Sequence, residues 1–109
     1  MSDPCTVSSH VLDAVAGRPA PGVRVTLLKQ EGDALTPVAS APTDADGRVT
    51  GWTTTPGPHR IRFDTGAWFA ARGTATFYPE VDISFTAAPG HSHVPLLLSP
   101  FAYSTYRGS

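Results

Sequence analysis

The chain has 109 residues, enough to enclose one hydrophobic core, and this length predicts a single domain spanning residues 1–109. Eleven prolines and ten glycines are spread along it, which favours many short strands joined by turns and predicts an all-β fold. The formal net charge of −1, without any block of like charge, argues against a nucleic-acid or membrane-surface binding protein.

The sequence carries no pattern typical of a targeting signal or a membrane span. No basic stretch followed by an apolar one opens the chain, and the longest apolar run, VPLLL, is too short to cross a bilayer. The C-terminal Arg-Gly-Ser differs from the peroxisomal Ser-Lys-Leu signal. We therefore expect a cytoplasmic protein, in which the lone Cys5 is a small apolar residue, buried or half-exposed.

Several segments alternate apolar and polar residues with the period of two that is typical of half-buried strands. A first strand is predicted around His10, and the clearest others are residues 23–29, 59–64 and 80–87. Turns rich in proline, glycine and aspartate separate the segments, at residues 17–22, 44–47, 56–58, 89–90 and 99–100. Short strands separated by such turns predict a β-sandwich.

Residues 65–73 break the alternation and predict one short helix, with Thr65 as its N-terminal cap. The Asp-Ala-Asp-Gly turn places Arg48 at the start of the next strand, where its guanidinium can be aimed at a ligand. His59 follows a proline turn and stands beside Arg60, which predicts a solvated surface residue.

His91 and His93 stand two residues apart at the head of an apolar run, so alternation places both rings on one face of a strand. Pro95 follows on the same face and cannot donate a backbone hydrogen bond, which predicts an edge strand or an irregularity. Alternation divides the last strand into two faces and leaves open which one joins the histidines. One face carries Ser104, Tyr106 and Gly108, and the other carries Tyr103, Thr105, Arg107 and Ser109.

These residues permit more than one interpretation. A His-x-His pair aims both rings in one direction, and His10 would complete a three-nitrogen zinc site, although no cysteine or carboxylate stands at a motif spacing. A Ser-His-Asp set could include Asp13 and a serine near the C-terminus, but no Gly-x-Ser-x-Gly turn is present. The simplest alternative is a polar strand face without chemistry.

Four blocks of the sequence resemble the transthyretin-related 5-hydroxyisourate hydrolases, in the same order and over nearly the whole chain. They are SSHVLDAVAGRPAPGVRVTLL, TDADGR, FDTGAWFAARGTATFYPEV and HSHVPLLLSPFAYSTYRGS, the last ending in the family signature Tyr-Arg-Gly-Ser. The chain is also similar to transthyretin, the thyroid-hormone carrier, over VLDAVAGRPAPGV and LLSPFAYST. The positions that distinguish the hydrolases from the carrier are all present here: His10, Arg48, His91, His93 and residues 106–109.

The resemblance implies a transthyretin-like sandwich of two four-stranded sheets with one short helix. It also implies a homotetramer, built as a dimer of dimers, with active sites in a central channel that the last strand lines. The implied activity is hydrolysis of 5-hydroxyisourate to 2-oxo-4-hydroxy-4-carboxy-5-ureidoimidazoline in urate degradation, without a metal or organic cofactor. The alternative is a carrier of the transthyretin type that binds a small ligand without turnover.

The resemblance also implies roles for individual residues. Those expected in catalysis are His10, Arg48, His93 and Ser109. Those expected to bind the substrate are His10, Arg48, Tyr106 and Arg107, and those expected to support the site are His91, Ser104 and Gly108.

An imidazole is a suitable base near neutral pH, and a fixed guanidinium suits a planar acidic substrate and its oxyanion. Whether His93 or His10 takes the proton is left open. The chain departs from the family at Ser92, where tyrosine is common, and at Ala102, where glycine or serine is frequent. By alternation, Ser92 lies on the face opposite the two histidines, so we expect altered packing and little change in chemistry.

Overall fold

The computed structural model describes residues 4–109 as ten strands and one short helix. The strands are β1 (Cys5–Asp13), β2 (Arg18–Pro19), β3 (Arg24–Glu31), β4 (Ala34–Pro42), β5 (Arg48–Thr54), β6 (Gly57–Phe63), β7 (Val81–Ala87), β8 (Gly90–His93), β9 (Leu96–Ser99) and β10 (Ala102–Thr105), and the helix is α1 (Thr65–Ala71). No helix within this range has the length and apolar character that crossing a membrane requires. The N-terminal stretch for which no targeting signal is predicted includes residues 1–3, which lie outside the described residues.

The strands form two sheets, which confirms the predicted all-β class. One sheet has the order β4-β3-β6-β7 with antiparallel neighbours throughout. In the other, β1 is central: β2 and β5 pair with it antiparallel, β8 and β9 pair with it in parallel, and β10 follows β9. This sheet has six segments and not the four strands expected, because the strand predicted from His91 onward is interrupted between β8 and β9 and the two-residue strand β2 adds one more.

The interruption lies at Val94 and Pro95, where the sequence predicts an irregularity. The Val94 N–H donates to the Ser8 carbonyl at 3.0 Å, and the Ser9 hydroxyl donates to the Val94 carbonyl at 2.6 Å. Pro95 is itself fully buried, with no N–H that would need a partner. The backbone N–H and the backbone carbonyl of Val94 are therefore both hydrogen-bonded to β1, which holds the break against that strand.

Apolar side chains from both sheets fill the core, and the predicted alternation is confirmed. The inward residues of the three clearest strands that are fully or almost fully buried are Val23, Val25, Leu27, Ile61, Phe63 and Val81. Burying each large apolar side chain stabilises the fold by about 1.5–3 kcal/mol. Cys5 is fully buried on β1, as predicted, whereas Ile83 and Phe85 are only partly covered. The partly covered pair marks an open edge of the sandwich at β7.

The helix confirms the element predicted over residues 65–73, but its predicted cap is wrong. Asp64 occupies the N-cap position and its side chain makes no capping hydrogen bond. Thr65 is instead fully buried, and its hydroxyl donates to the Tyr78 carbonyl at 3.2 Å. The Trp68 indole N–H donates to the Pro21 carbonyl at 2.7 Å, which ties the helix to the loop before β3.

His59 does not lie at the surface, so the prediction for it is wrong. Its side chain is 1% exposed, with Nε2 lying 2.8 Å from Thr54 Oγ1 and Nδ1 lying 2.9 Å from the Gly57 carbonyl oxygen. A carbonyl only accepts, so Nδ1 carries the proton and Nε2 accepts from the threonine. The alternation that turns Ile61 inward also turns His59 inward, and this outweighs the charged neighbour Arg60.

The turn at residues 44–47 fixes the start of β5 against β1. Asp44 Oδ1 accepts hydrogen bonds from the N–H groups of Asp46 and Arg48, both at 2.9 Å. Gly47 has φ of +75°, and its carbonyl accepts from the Val11 N–H at 2.8 Å. A Cβ atom on Gly47 would lie 2.5 Å from the Val11 carbonyl oxygen. The turn therefore holds Arg48 in the position that the sequence predicts for it.

We expect Gly47→Ala to lower the free energy of unfolding by about 3 kcal/mol, because it combines a left-handed backbone with a clash against β1. Gly32→Ala is the matched control: its φ is +61° but nothing lies within 4 Å of the added Cβ. The control should lose only about 1 kcal/mol. Urea denaturation followed by tryptophan fluorescence compares the two variants, and equal losses would show that the close approach to β1 contributes nothing.

Candidate active site

His10 and Arg48 are directly opposed on the antiparallel strands β1 and β5. Their neighbours Val11 and Val49 are buried in the core, so alternation turns His10 and Arg48 to the outer face of the sheet. Side chains of directly opposed residues on adjacent strands lie close enough to interact. The topology therefore brings together an imidazole and a guanidinium that are far apart in the sequence.

Neither of these two side chains is fully satisfied within residues 4–109. The Nε2 atom of His10 is shielded from solvent and has no hydrogen-bond partner there. All ion pairs in this range are made by Arg60 and Arg62, so Arg48 has no carboxylate partner among the described residues. A buried polar atom without a partner costs about 1–3 kcal/mol, which a bound polar ligand would recover.

His91 and His93 lie on β8, which runs parallel to β1 with Thr6 opposite His91 and Ser8 opposite His93. The His91 ring lies between two hydroxyls, with Nδ1 2.7 Å from Thr6 Oγ1 and Nε2 2.8 Å from Ser8 Oγ. Ser8 Oγ also lies 2.7 Å from His93 Nδ1. The two rings are stacked, with centroids 6.5 Å apart and planes 19° from parallel. Both rings therefore share the outer face, as alternation predicts, while Ser92 pairs with the core residue Val7.

The surroundings of His93 disfavour a positive charge on its ring. Burial lowers the pKa of His93 below its ordinary value of 6.5, and the nearby Arg48 guanidinium lowers it further. His91 and His10 add smaller effects in the same direction. His93 is therefore neutral over a wider pH range than a solvated histidine, and its Nε2 is the ring nitrogen not engaged by Ser8.

The C-terminal segment closes over His93 from the other side. The Gly108 N–H donates to the His93 carbonyl at 2.9 Å, and this bridge is antiparallel. A Cβ atom on Gly108 would overlap the His93 ring at Cδ2, so only glycine fits here without displacement. β10 ends at Thr105, whose hydroxyl donates to the Pro95 carbonyl at 2.8 Å. The last strand is divided by alternation into two faces, but β10 ends at Thr105 and the bridge to His93 is made beyond it, by Gly108. Alternation along a regular strand therefore does not decide which C-terminal residues join the histidines.

A groove of about 790 Å³ lies where β7, β8 and the C-terminal segment meet. Partly covered Ile83 and Phe85 line it, together with His91, His93 and residues 105–109. His10 and Arg48 do not line it, but both lie close enough to His93 to lower its pKa. In a single chain, His93 is thus the residue that connects the groove to the pair formed by His10 and Arg48.

Some predicted site residues are not brought to the histidines. Ser104 lies on β10 opposite Leu97 and lines a separate shallow depression. Asp13 Oδ1 accepts from the N–H groups of Val15 and Ala16 at 3.0 and 3.1 Å, so this carboxylate belongs to a turn. The described residues therefore give no support to a Ser-His-Asp arrangement.

The zinc interpretation finds no geometric support in the described part of the chain. Within residues 4–109, no group of three or more histidine, cysteine, aspartate or glutamate side chains is placed to hold a metal ion. Both ring nitrogens of His91 already lie within hydrogen-bonding distance of hydroxyls, so this ring has no free nitrogen to offer a metal.

Two residues that contact the histidines were missed from the sequence, Thr6 and Ser8. Alternation along β1 places both on the face that carries His10, and this was the only signal available. Their contacts depend on a parallel pairing between segments 85 positions apart, which periodicity alone does not reveal.

Comparisons with known proteins agree with this architecture. The pattern of the HIUase/Transthyretin family matches residues 7–108. The 5-hydroxyisourate hydrolase of Salmonella typhimurium is 42% identical over 109 residues, covering 94% of this chain and 80% of that protein. The structure of Klebsiella pneumoniae 5-hydroxyisourate hydrolase has a TM-score of 0.87 at 38% identity, with 100% of both chains covered. Transthyretin from Sparus aurata has a TM-score of 0.89 at 34% identity, covering 95% of this chain and 97% of that one.

We expect Arg48→Met to raise the pKa of His93, because it removes a positive charge that disfavours the imidazolium. The pKa should remain below 6.5, since burial is the larger cause of the depression. A titration of ring nitrogens labelled with ¹⁵N measures the shift in the wild type and the variant. Arg24→Met, on the other sheet, is the control and should leave His93 unchanged. An unaltered His93 pKa in Arg48→Met would show that the two groups are not coupled.

Proposed function

Because the chain belongs to the HIUase/Transthyretin family, we propose that it hydrolyses 5-hydroxyisourate to 2-oxo-4-hydroxy-4-carboxy-5-ureidoimidazoline, a step of urate degradation. Proteins named 5-hydroxyisourate hydrolase resemble this chain over nearly its whole length. The observation that carries the proposal is the meeting of His10, Arg48 and His93, where burial and then the charge of Arg48 lower the pKa of the His93 ring.

Ring opening at an amide bond needs a base for the attacking water and a cation for the oxygen that becomes negative. In our proposal Nε2 of His93 takes a proton from water as the oxygen attacks the ring carbonyl. The Arg48 guanidinium binds the planar, acidic substrate and stabilises the oxyanion. The departing ring nitrogen then recovers the proton from His93, which restores the neutral imidazole. The lowered pKa of His93 keeps its ring unprotonated near neutral pH, which supports its assignment as the base.

We assign His10 to substrate binding, because its shielded Nε2 lacks a partner in the described chain. Tyr106 and Arg107 line the groove beside His93 and are assigned to binding of the substrate rim, with Ser109 orienting the reacting groups. Gly108 supports the site by allowing the terminal segment to approach His93. A supporting role for Ser104 stays a prediction from the sequence, since its position in a single chain is remote from the histidines.

We further propose that four copies assemble as a dimer of dimers, with the site between dimers. Among the strands of residues 4–109, β7 pairs only with β6 and β10 only with β9, so each has an unpaired edge that a second copy can extend. The edge strand β4 differs because it carries Pro37 and Pro42, which oppose strand addition. Closure of the outer face by another dimer would also enclose His10 and Arg48.

A carrier of the transthyretin type is the second candidate, since the fold matches Sparus aurata transthyretin as well as it matches the hydrolase structure. This candidate predicts saturable binding of a small aromatic ligand without its conversion. Its weakness is chemical: a carrier has no use for a neutral histidine poised beside an arginine on the same sheet face.

We expect His93→Asn to lower the turnover of 5-hydroxyisourate at least a hundredfold, because the base is lost. The decay of substrate ultraviolet absorbance, with substrate generated in situ from urate by urate oxidase, measures the rate. His59→Asn is the matched control, because this buried histidine lies outside the site.

The two variants should behave in opposite ways. His59→Asn should lower the melting temperature while the folded fraction keeps its turnover. His93→Asn should keep most of its stability and lose its turnover. A His93→Asn variant with wild-type turnover would remove this residue from the mechanism.

The proposed assembly predicts a solution mass four times that of the 11.5 kDa chain. Light scattering coupled to size exclusion, repeated over a hundredfold dilution, measures this mass. Replacing Ser84 with proline, in the middle of the β7 edge, should reduce it, whereas Thr36→Pro on the β4 edge should leave it unchanged. A monomer that turns over substrate would contradict the assembly and leave the hydrolase assignment intact.

A further inference from the structure

Four side chains on the outer face of the sheet centred on β1 form one hydrogen-bonded chain. It runs from Thr6 Oγ1 to His91 Nδ1 at 2.7 Å, from His91 Nε2 to Ser8 Oγ at 2.8 Å, and from Ser8 Oγ to His93 Nδ1 at 2.7 Å. Ser8 is the central member, and it is only 6% exposed. Its single hydroxyl contacts a nitrogen of each imidazole ring, so the direction in which it donates links the tautomer of His91 to the tautomer of His93.

The number of protons permits two arrangements of this chain. A hydroxyl donates one hydrogen bond, so Ser8 donates to one ring and accepts from the other. If His93 is to act as a base at Nε2, its Nδ1 carries the proton and donates to Ser8. Ser8 then donates to His91 Nε2, and His91 Nδ1–H donates to Thr6. In the opposite arrangement His93 carries its proton on Nε2 and has no base to offer.

We propose that Ser8 is a positioning residue that couples His93 to His91, so that the two rings act as one base in the proposed hydrolysis. As His93 Nε2 gains a proton from water, its Nδ1 gives its own proton to the Ser8 oxygen. Ser8 in turn releases its hydroxyl proton to His91 Nε2. One N–H bond forms and one breaks at His93, the same holds for O–H at Ser8, and the positive charge ends on His91.

The surroundings of the two rings explain why the charge should move outward. His93 is half-buried under the C-terminal segment, and this burial disfavours an imidazolium there, as do the nearby Arg48 and His10. The His91 side chain is exposed, so water can solvate a charge on it. Thr6 accepts a hydrogen bond from His91 Nδ1–H before and after the transfer. The coupling of the two rings thus lets His93 accept a proton from water while the positive charge goes to His91. The charge does not stay on His93, where burial and Arg48 oppose it.

Three variants and one control test the coupling through turnover. Ser8→Ala removes the link, and we expect kcat about tenfold lower with KM little changed. His91→Gln keeps an acceptor near the Nε2 position but cannot hold the proton, so it should lower kcat to a similar extent. Ser8→Thr keeps the hydroxyl and should restore most of kcat. Ser9→Ala is the matched control, because Ser9 lies on the opposite face and bonds to the Val94 carbonyl.

The control should lose stability but keep the wild-type kcat and pH profile. In Ser8→Ala the acid limb of kcat should move, because His93 then titrates without its partner ring. A wild-type kcat and pH profile in either Ser8→Ala or His91→Gln would overturn the proposal.

A second measurement separates this proposal from the function on which it rests. In protein labelled with ¹⁵N-histidine, His93 should carry its proton on Nδ1 in the wild type at pH 8 and lose that preference in Ser8→Ala. An Nε2–H tautomer of His93 in the wild type would overturn the coupling whatever the turnover. If the Nδ1–H tautomer depends on Ser8 but 5-hydroxyisourate is not consumed, the proposed function fails and the coupling of the rings stands.

Discussion

The parallel pairing of β1 with β8, and then with β9 beyond the break at Pro95, decides both the core and the site. On the inner face it buries Val7 and Val11 against the β4-β3-β6-β7 sheet, and on the outer face it sets hydroxyls opposite imidazoles. Because side chains alternate, a slip of one residue would exchange these two faces. Two hydrogen bonds oppose such a slip: the Val94 N–H donates to the Ser8 carbonyl, and the Ser9 hydroxyl donates to the Val94 carbonyl.

The outer face of the sheet centred on β1 carries a cluster of positive and titratable groups whose proximity does not stabilise the folded monomer. Arg48 and three histidines carry or can carry positive charge, and no carboxylate among the described residues offsets them. Such a cluster costs stability unless an anionic or polar ligand binds, so its presence is better explained by binding chemistry than by packing. Burial, and then this repulsion, lower the pKa of His93 and so favour its neutral form, which is what a general base requires.

The elements that local pattern decides were predictable: the alternating strands, the Asp-Gly turn before Arg48, and the break at Pro95. The resemblance to a family supplied the association of His10, Arg48 and His93, which no local pattern shows. Local reasoning failed at His59 and at Ser8 for different reasons. His59 was misplaced because its charged neighbour suggested exposure, although the alternation shared with Ile61 turns it inward. Ser8 was overlooked because its partner strand lies near the other end of the chain. The strand β4 has weak alternation and two prolines, so its pairing with β3 gave no clear signal.

The central claim is that this sheet face converts 5-hydroxyisourate and does not merely hold it. The most direct measurement is ¹³C NMR of labelled urate treated with urate oxidase, with and without the chelator-treated protein. The account predicts rapid loss of the 5-hydroxyisourate ring signals and matching growth of the 2-oxo-4-hydroxy-4-carboxy-5-ureidoimidazoline signals. Ring signals that broaden on binding yet decay at the spontaneous rate would contradict it and favour a carrier.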